Sequence, residues 1–263
     1  MNLSYSSQVV RRSWLVTLFT VVGLATSIAA QAACIVSDSA GTAGLPPVGC
    51  TYTTPDVLSP NNDLFVIDGL PAGTFIQMDS ALHSFLNIVA VPGGGLGGEA
   101  ESYQASLDMP MIGHGSLAGF NRNIVMPLSN VQSHSAPRTP GTTPQSFLTD
   151  MFVMQGQLVA GDPDFDLLRI SAGTGFGMPS PGHTTLTRLG PPGSNWNVDS
   201  FFDITYRIDF VGAPGGQLAG RSGSTTRTAR FVIGAGVPEP GSCLLVVSGV
   251  VGLALSGRRR LGS

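Results

Sequence analysis

Between positions 202 and 210 the chain alternates. Phe202, Ile204, Tyr206, Ile208 and Phe210 are separated by Asp203, Thr205, Arg207 and Asp209. A period of two puts successive side chains on opposite faces of an extended chain, so this run predicts a strand with one buried face. Tyr103, Ala105, Leu107, Met109 and Met111 repeat the pattern against Gln104, Ser106 and Asp108. Further strands are predicted over Leu64–Ile67, Thr74–Met78, Phe85–Val91, Ile124–Leu128, Phe147–Val159, Phe165–Ser171, Thr184–Arg188 and Thr225–Ile233. Turn signals separate them: Asp68-Gly69, Pro92-Gly93-Gly94-Gly95, Gly161-Asp162-Pro163, Pro191-Pro192-Gly193 and Pro214-Gly215-Gly216. No amphipathic helical period stands out between them. Roughly ten short strands with this punctuation predict an all-β body, an antiparallel β-sandwich. The polar, Pro-rich stretch Ser133–Gln145 reads as a long loop within one domain or a linker between two halves. Neither flank holds enough strands for an independent sandwich, so the loop is expected.

The two ends break the pattern. Arg11 and Arg12 precede an apolar run, Trp14–Ala25, and Ala30 and Ala32 satisfy the small-x-small rule for signal cleavage. A signal helix over residues 1–32 and a mature start at Ala33 are expected, with an uncleaved anchor as the alternative. Arg11-Arg12-Ser13-Trp14-Leu15 resembles a twin-arginine signal, but paired arginines also occur in ordinary basic leaders, and the general secretory route is favoured. At the other end, Gly241–Gly257 is a second apolar run of 17 residues. As a helix it would be about 25 Å long, slightly short of a bilayer core of about 30 Å, and it can span with snorkelling arginines. Pro238 and Pro240 set the start of this transmembrane helix, and Arg258, Arg259 and Arg260 hold its end in the cytoplasm. The chain therefore divides into a signal (1–32), a secreted β body (33–236) and a tail (237–263).

Charge narrows the partners. The body carries eight arginines against fifteen acids, a formal charge of −7. Nucleic acid requires a basic face to neutralise phosphate, so it is excluded as a partner. Cys34 and Cys50 frame a Gly/Pro-rich segment. In an oxidising compartment they would close a local disulfide loop; two free thiols, or lipidation of Cys34, are the alternatives.

Candidate chemistry is sparse. Asp162, Asp164 and Asp166 form the densest acidic cluster, and alternating carboxylates can converge on calcium, a hard cation that prefers oxygen. An EF-hand loop from Asp162 would need Gly and Glu where Leu167 and Gly173 stand, so that motif is absent, and a solvated turn is the plainer expectation. His83, His114, His134 and His183 show no metal-ligand spacing. No Gly-x-Ser-x-Gly elbow is present, and Asp199, Asp203 and Asp209 read as the outer face of a strand. The glycine-rich runs at 93–98 and 173–177 lack the helix and Lys-Ser/Thr that a phosphate cradle needs. Trp196 and Tyr103 are candidate sugar-stacking rings or, more plainly, core residues. No cofactor and no enzymatic activity are expected.

Val237-Pro238-Glu239-Pro240, a short apolar run and a terminal arginine cluster, in that order, resemble the PEP-CTERM sorting signal of Gram-negative bacteria. The resemblance covers only the last 27 residues. It implies recognition of Pro238, Glu239 and Pro240 by an exosortase, a membrane thiol peptidase, after signal peptidase has acted at the other end. It further implies an inner-membrane intermediate, then release to the cell surface or extracellular matrix, where proteins with this signal are often associated with exopolysaccharide and biofilm. The expected function is a structural or adhesive surface module. The alternative is a secreted carbohydrate-binding or carbohydrate-active protein, calcium-dependent if the acidic cluster binds the ion.

Overall fold

The computed structural model describes residues 33–54, 63–158 and 161–233. The regions expected to form the signal helix and the transmembrane helix lie outside these residues. Among the described residues there is no α-helix, and no helix long and apolar enough to cross a membrane. The body is all-β and its ladders are antiparallel.

Four short strands come first: β1 (Cys34–Val36), β2 (Asp38–Ser39), β3 (Thr42–Ala43) and β4 (Tyr52–Thr53). Ten strands follow: β5 (Leu64–Val66), β6 (Phe75–Met78), β7 (Ala81–Pro92), β8 (Glu99–His114), β9 (Asn121–Ser135), β10 (Gln145–Gln157), β11 (Phe165–Ala172), β12 (Pro181–Arg188), β13 (Trp196–Gly212) and β14 (Ser222–Ile233). These ten coincide with the alternating segments. The stretch 136–144 joins β9 to β10, which pair with one another, so it is a hairpin loop.

β2 and β3 form a small ribbon; the other twelve strands share one sheet. Its hydrogen bonds run in a circuit through β7, β8, β9, β10, β12, β13, β14 and β4, and back to β7. The long strands change partners along their length. β8 pairs with β7 through its first half and with β6 through its last residues. β10 and β13 both pair with β12 at one end and β11 at the other. The body therefore has two ends with different neighbours around one interior.

At the end holding β5, β6 and β11, no ladder joins β5 to β14. Side chains bridge the gap. Thr225 Oγ1 accepts the N–H groups of Ile67 and Asp68 at 2.9 Å each, and Tyr206 Oη accepts that of Phe65 at 2.7 Å. The interior here is apolar and rich in methionine: Leu64, Ile76, Met78, Met109, Met111, Met126, Met154, Leu168 and Phe210 are all buried. Unbranched Met side chains fill irregular gaps where a curved sheet brings strands together at unequal distances.

The opposite end holds the start of β10 and β13 and the end of β14. Residues 33–51 cross it as a strap. β1 pairs with the first residues of β13. Asp38 Oδ1 accepts from Trp196 Nε1 at 2.7 Å, and Gln145 Nε2 donates to Gly41 O at 2.8 Å. Arg138, from the 136–144 loop, donates to Ala43 O at 2.7 Å and pairs with Glu99. Gly41 must be glycine: its φ is +86°, and a Cβ would lie 2.8 Å from the backbone nitrogen of Gly141.

Candidate functional site

Beneath the strap the interior changes character. Glu101, Ser133, Ser135, Thr149, Thr184 and Ser200 all point inward and are buried. Two β-bulges bring several of them there. Leu128 and Val131 of β9 face Ala105 and Tyr103 of β8, so two β9 residues oppose one of β8. The extra residue moves the inward parity from Ile124, Met126 and Leu128 to Val131, Ser133 and Ser135. In β10 the shift between Met151 and Val153 moves it from Phe147, Thr149 and Met151 to Met154 and Gly156.

Glu101 is the focus of this chamber. It is 1% exposed. Ser133 Oγ donates to its Oε2 at 3.3 Å and Ser135 Oγ to its Oε1 at 3.2 Å. Burial disfavours the charged form and pushes the carboxyl up to about 7, against the opposing pull of Arg138 and the two serines. Across the chamber Tyr52 Oη donates to Ser200 Oγ at 3.1 Å, and Ser200 Oγ lies 2.7 Å from Thr184 Oγ1. Thr149 Oγ1 is buried without a partner. Leu45 and Pro46 of the strap close the chamber, leaving a cavity of about 10 Å³, the size of one water. Burial drives the phenols of Tyr52 and Tyr103 far above their ordinary range, so both are neutral donors.

The chamber holds an acid poised near neutrality but no adjacent base. The ring of His134 is turned away: it stacks on Phe152 with centroids 4.3 Å apart, and its Nδ1 accepts the N–H of Gly95 at 3.1 Å. That bond leaves the proton on Nε2, and burial holds the imidazole below its usual range. The glycine run 93–98 thus packs around a neutral histidine.

The segments carrying Pro238, Glu239, Pro240, Arg258, Arg259 and Arg260 lie outside the described residues. Cys34 and Cys50 are joined by a disulfide that ties the first strand of the strap to its last turn. The acidic cluster takes the turn form that was the plainer of its two readings. Asp162, Asp164 and Asp166 do not converge, because Arg122 of β9 takes the place of the cation. Its Nη2 lies 2.8 Å from Asp162 Oδ2, and its Nη1 pairs with Asp164. Asp162 Oδ1 instead accepts the N–H groups of Asp164 and Phe165 at 2.9 and 3.1 Å, closing an Asx turn, and Asp166 faces solvent. Among the described residues no three His, Cys, Asp or Glu side chains are grouped to hold a metal ion.

The other candidates are structural. Asp209 is held to about 2 by Arg169 and Arg207, which overcome its partial burial, and Asp203 pairs with Arg230 through both oxygens at 2.7 Å. Trp196 and Tyr103 are buried and offer no open face to a sugar ring. Asp199 pairs in register with Thr185 on the β12–β13 ladder, and His83 lies 3.1 Å from Asp108. The residue missed by sequence reasoning is Glu101. The signal was there: the alternation through Tyr103, Ala105 and Leu107, carried back one step, places position 101 on the buried face.

Comparison with family models, curated proteins and solved structures returned no match to the chain.

Proposed function

We propose that the chain is an exported cell-surface or extracellular-matrix protein of a Gram-negative bacterium, and that its sandwich-like β body is a structural or adhesive module acting without catalysis. In this reading the N-terminal segment directs export. The Pro238-Glu239-Pro240 tail is read by an exosortase after an inner-membrane stop, and the released body joins an exopolysaccharide-rich matrix. The observation that carries the reading is the Cys34–Cys50 disulfide, which starts one residue after the expected cleavage point. Structural disulfides persist in oxidising compartments and are rare where thiols are kept reduced. Intact mass of the protein recovered from the cell surface tests the proposal. The expected mass starts at Ala33, contains the disulfide and lacks the tail. A species found only in the cytoplasm, or a tail unaffected by loss of the exosortase, overturns it.

A further inference from the structure

Among the described residues, six of the eleven large exposed apolar side chains gather at one end of the body. Ile35, Val48, Leu86, Val89, Val91 and Leu189, each 50–64% exposed, lie at the strap end of the body. Ile35 and Val48 belong to the strap, Leu189 to the turn after β12, and the other three to the part of β7 that runs past β4. An open groove of about 470 Å³ separates strap from strand, with Val36, Leu45, Pro46 and Ile88 among its walls. Three charges at this end are engaged from within. Asp38 accepts from Trp196 and Gly41, Arg188 stacks over the Trp196 ring at 4.5 Å, and Arg138 holds Glu99. An apolar rim with these charges tied down marks a surface that leaves water at reduced cost.

The position of the chain ends says what covers it. Cys34 pairs with Val198 and Ile233 with Ser200, so both limits of the body emerge at this rim. Residues 26–32 connect the first limit to the apolar run Trp14–Ala25, and residues 234–240 connect the second to the run beginning at Gly241. Each connection is seven residues, a reach of about 24 Å when fully extended. A second protein strand is a poorer occupant. Among the described residues the edge of β7 beyond β4 is unpaired, but its ladder to β8 carries two register shifts and Asn87 has φ +53°, so that edge presents no regular row of partners.

We propose that the strap end is a bilayer-facing surface, its apolar rim resting at the headgroup–acyl boundary of a phospholipid membrane while an apolar run of the same chain is inserted. This rests on the reading of the tail as a membrane segment. The test uses the full chain with Cys243→Ser and a single new thiol at Val89→Cys, Leu189→Cys, Val125→Cys or Val211→Cys. Each variant is labelled with a fluorophore and reconstituted into phosphatidylcholine vesicles with brominated acyl chains. All four positions are exposed, and the mass of each variant checks that the Cys34–Cys50 bond is intact. Quenching is expected at 89 and 189 and absent at 125 and 211. Adding Val48→Asp should abolish quenching at 189 while the protein still floats with the vesicles. Flotation with no quenching at 89 and 189 overturns this proposal and leaves the tail reading standing. Failure to float overturns both. Absence of quenching at 89 and 189, together with interchain disulfide formation by the same variants left unlabelled, would assign the rim to a second copy and overturn it as well.

Discussion

The two halves of the interior are built by the same strands and solve opposite problems. Around Met109, Met111, Leu168 and Phe210 the sheet buries hydrocarbon against hydrocarbon, and dispersion and the hydrophobic effect suffice. Around Glu101, Thr149, Thr184 and Ser200 it buries oxygen atoms that are paired with one another except at Thr149, and a carboxyl with no full counter-charge beside it. The first half needs no covalent help. The second is crossed by a strap, pinned by Arg138 and closed by a disulfide. Cross-linking is thus placed at the end where the interior holds its buried polar groups.

Four measurements would break or sharpen this contrast. The largest loss is expected from Leu168→Ala in the apolar half, where truncation leaves a cavity that closely packed strands cannot fill. Denaturant unfolding should show about 3–4 kcal/mol of destabilisation. A loss below about 1 kcal/mol would mean that half is looser than its burial implies. Reduction of Cys34–Cys50, which spans 16 residues, should cost about 3 kcal/mol through restored loop entropy. Hydrogen exchange should then quicken in β1–β4 and leave β11 unchanged; uniform acceleration would show the halves are not separable.

Glu101 supplies the third. Its folded carboxyl titrates near 7 and an unfolded one near 4.5, so the native chain holds the extra proton between those values. The contribution of Glu101 to stability is therefore fully present below the lower value, falls as pH rises through the window and levels off above the upper one. Glu101→Gln should flatten that profile and stabilise the protein at pH 8 by on the order of 2–3 kcal/mol. An unchanged profile would remove Glu101 as the source. The smallest effect belongs to Thr149→Val. Deleting a buried hydroxyl without a partner should raise stability by about 1 kcal/mol, whereas a loss would reveal that a water bridges it.

The apolar half was legible in the sequence because long stretches of its strands, above all Tyr103–Met111 and Phe202–Ile208, alternate with a period of two. The polar half was not, for three physical reasons. β1–β4 are two or three residues long, too short for any period to register. The bulge in β9 inverts parity partway, so Ser133 and Ser135 look like solvent-facing positions when counted from Ile124, Met126 and Leu128. Closing the circuit through Tyr52, Leu82 and Val232 depends on contacts far apart in sequence, which local pattern does not encode. The acidic cluster was legible as a turn but not in its ion pairing. Its carboxylates were visible, but Arg122, 40 residues away from Asp162, was not visible as their partner.

The pairing of Ile233 with Ser200 and of Cys34 with Val198 has a mechanical consequence. Tension applied at Ala33 passes through the cross-linked sulfurs to Cys50 and Tyr52, and from Thr53 directly across to Val232 beside the other exit. The load path is a short bypass along one rim. A pull between the two limits of the body would be carried there and through the adjoining pairs of β13 with β1 and β14.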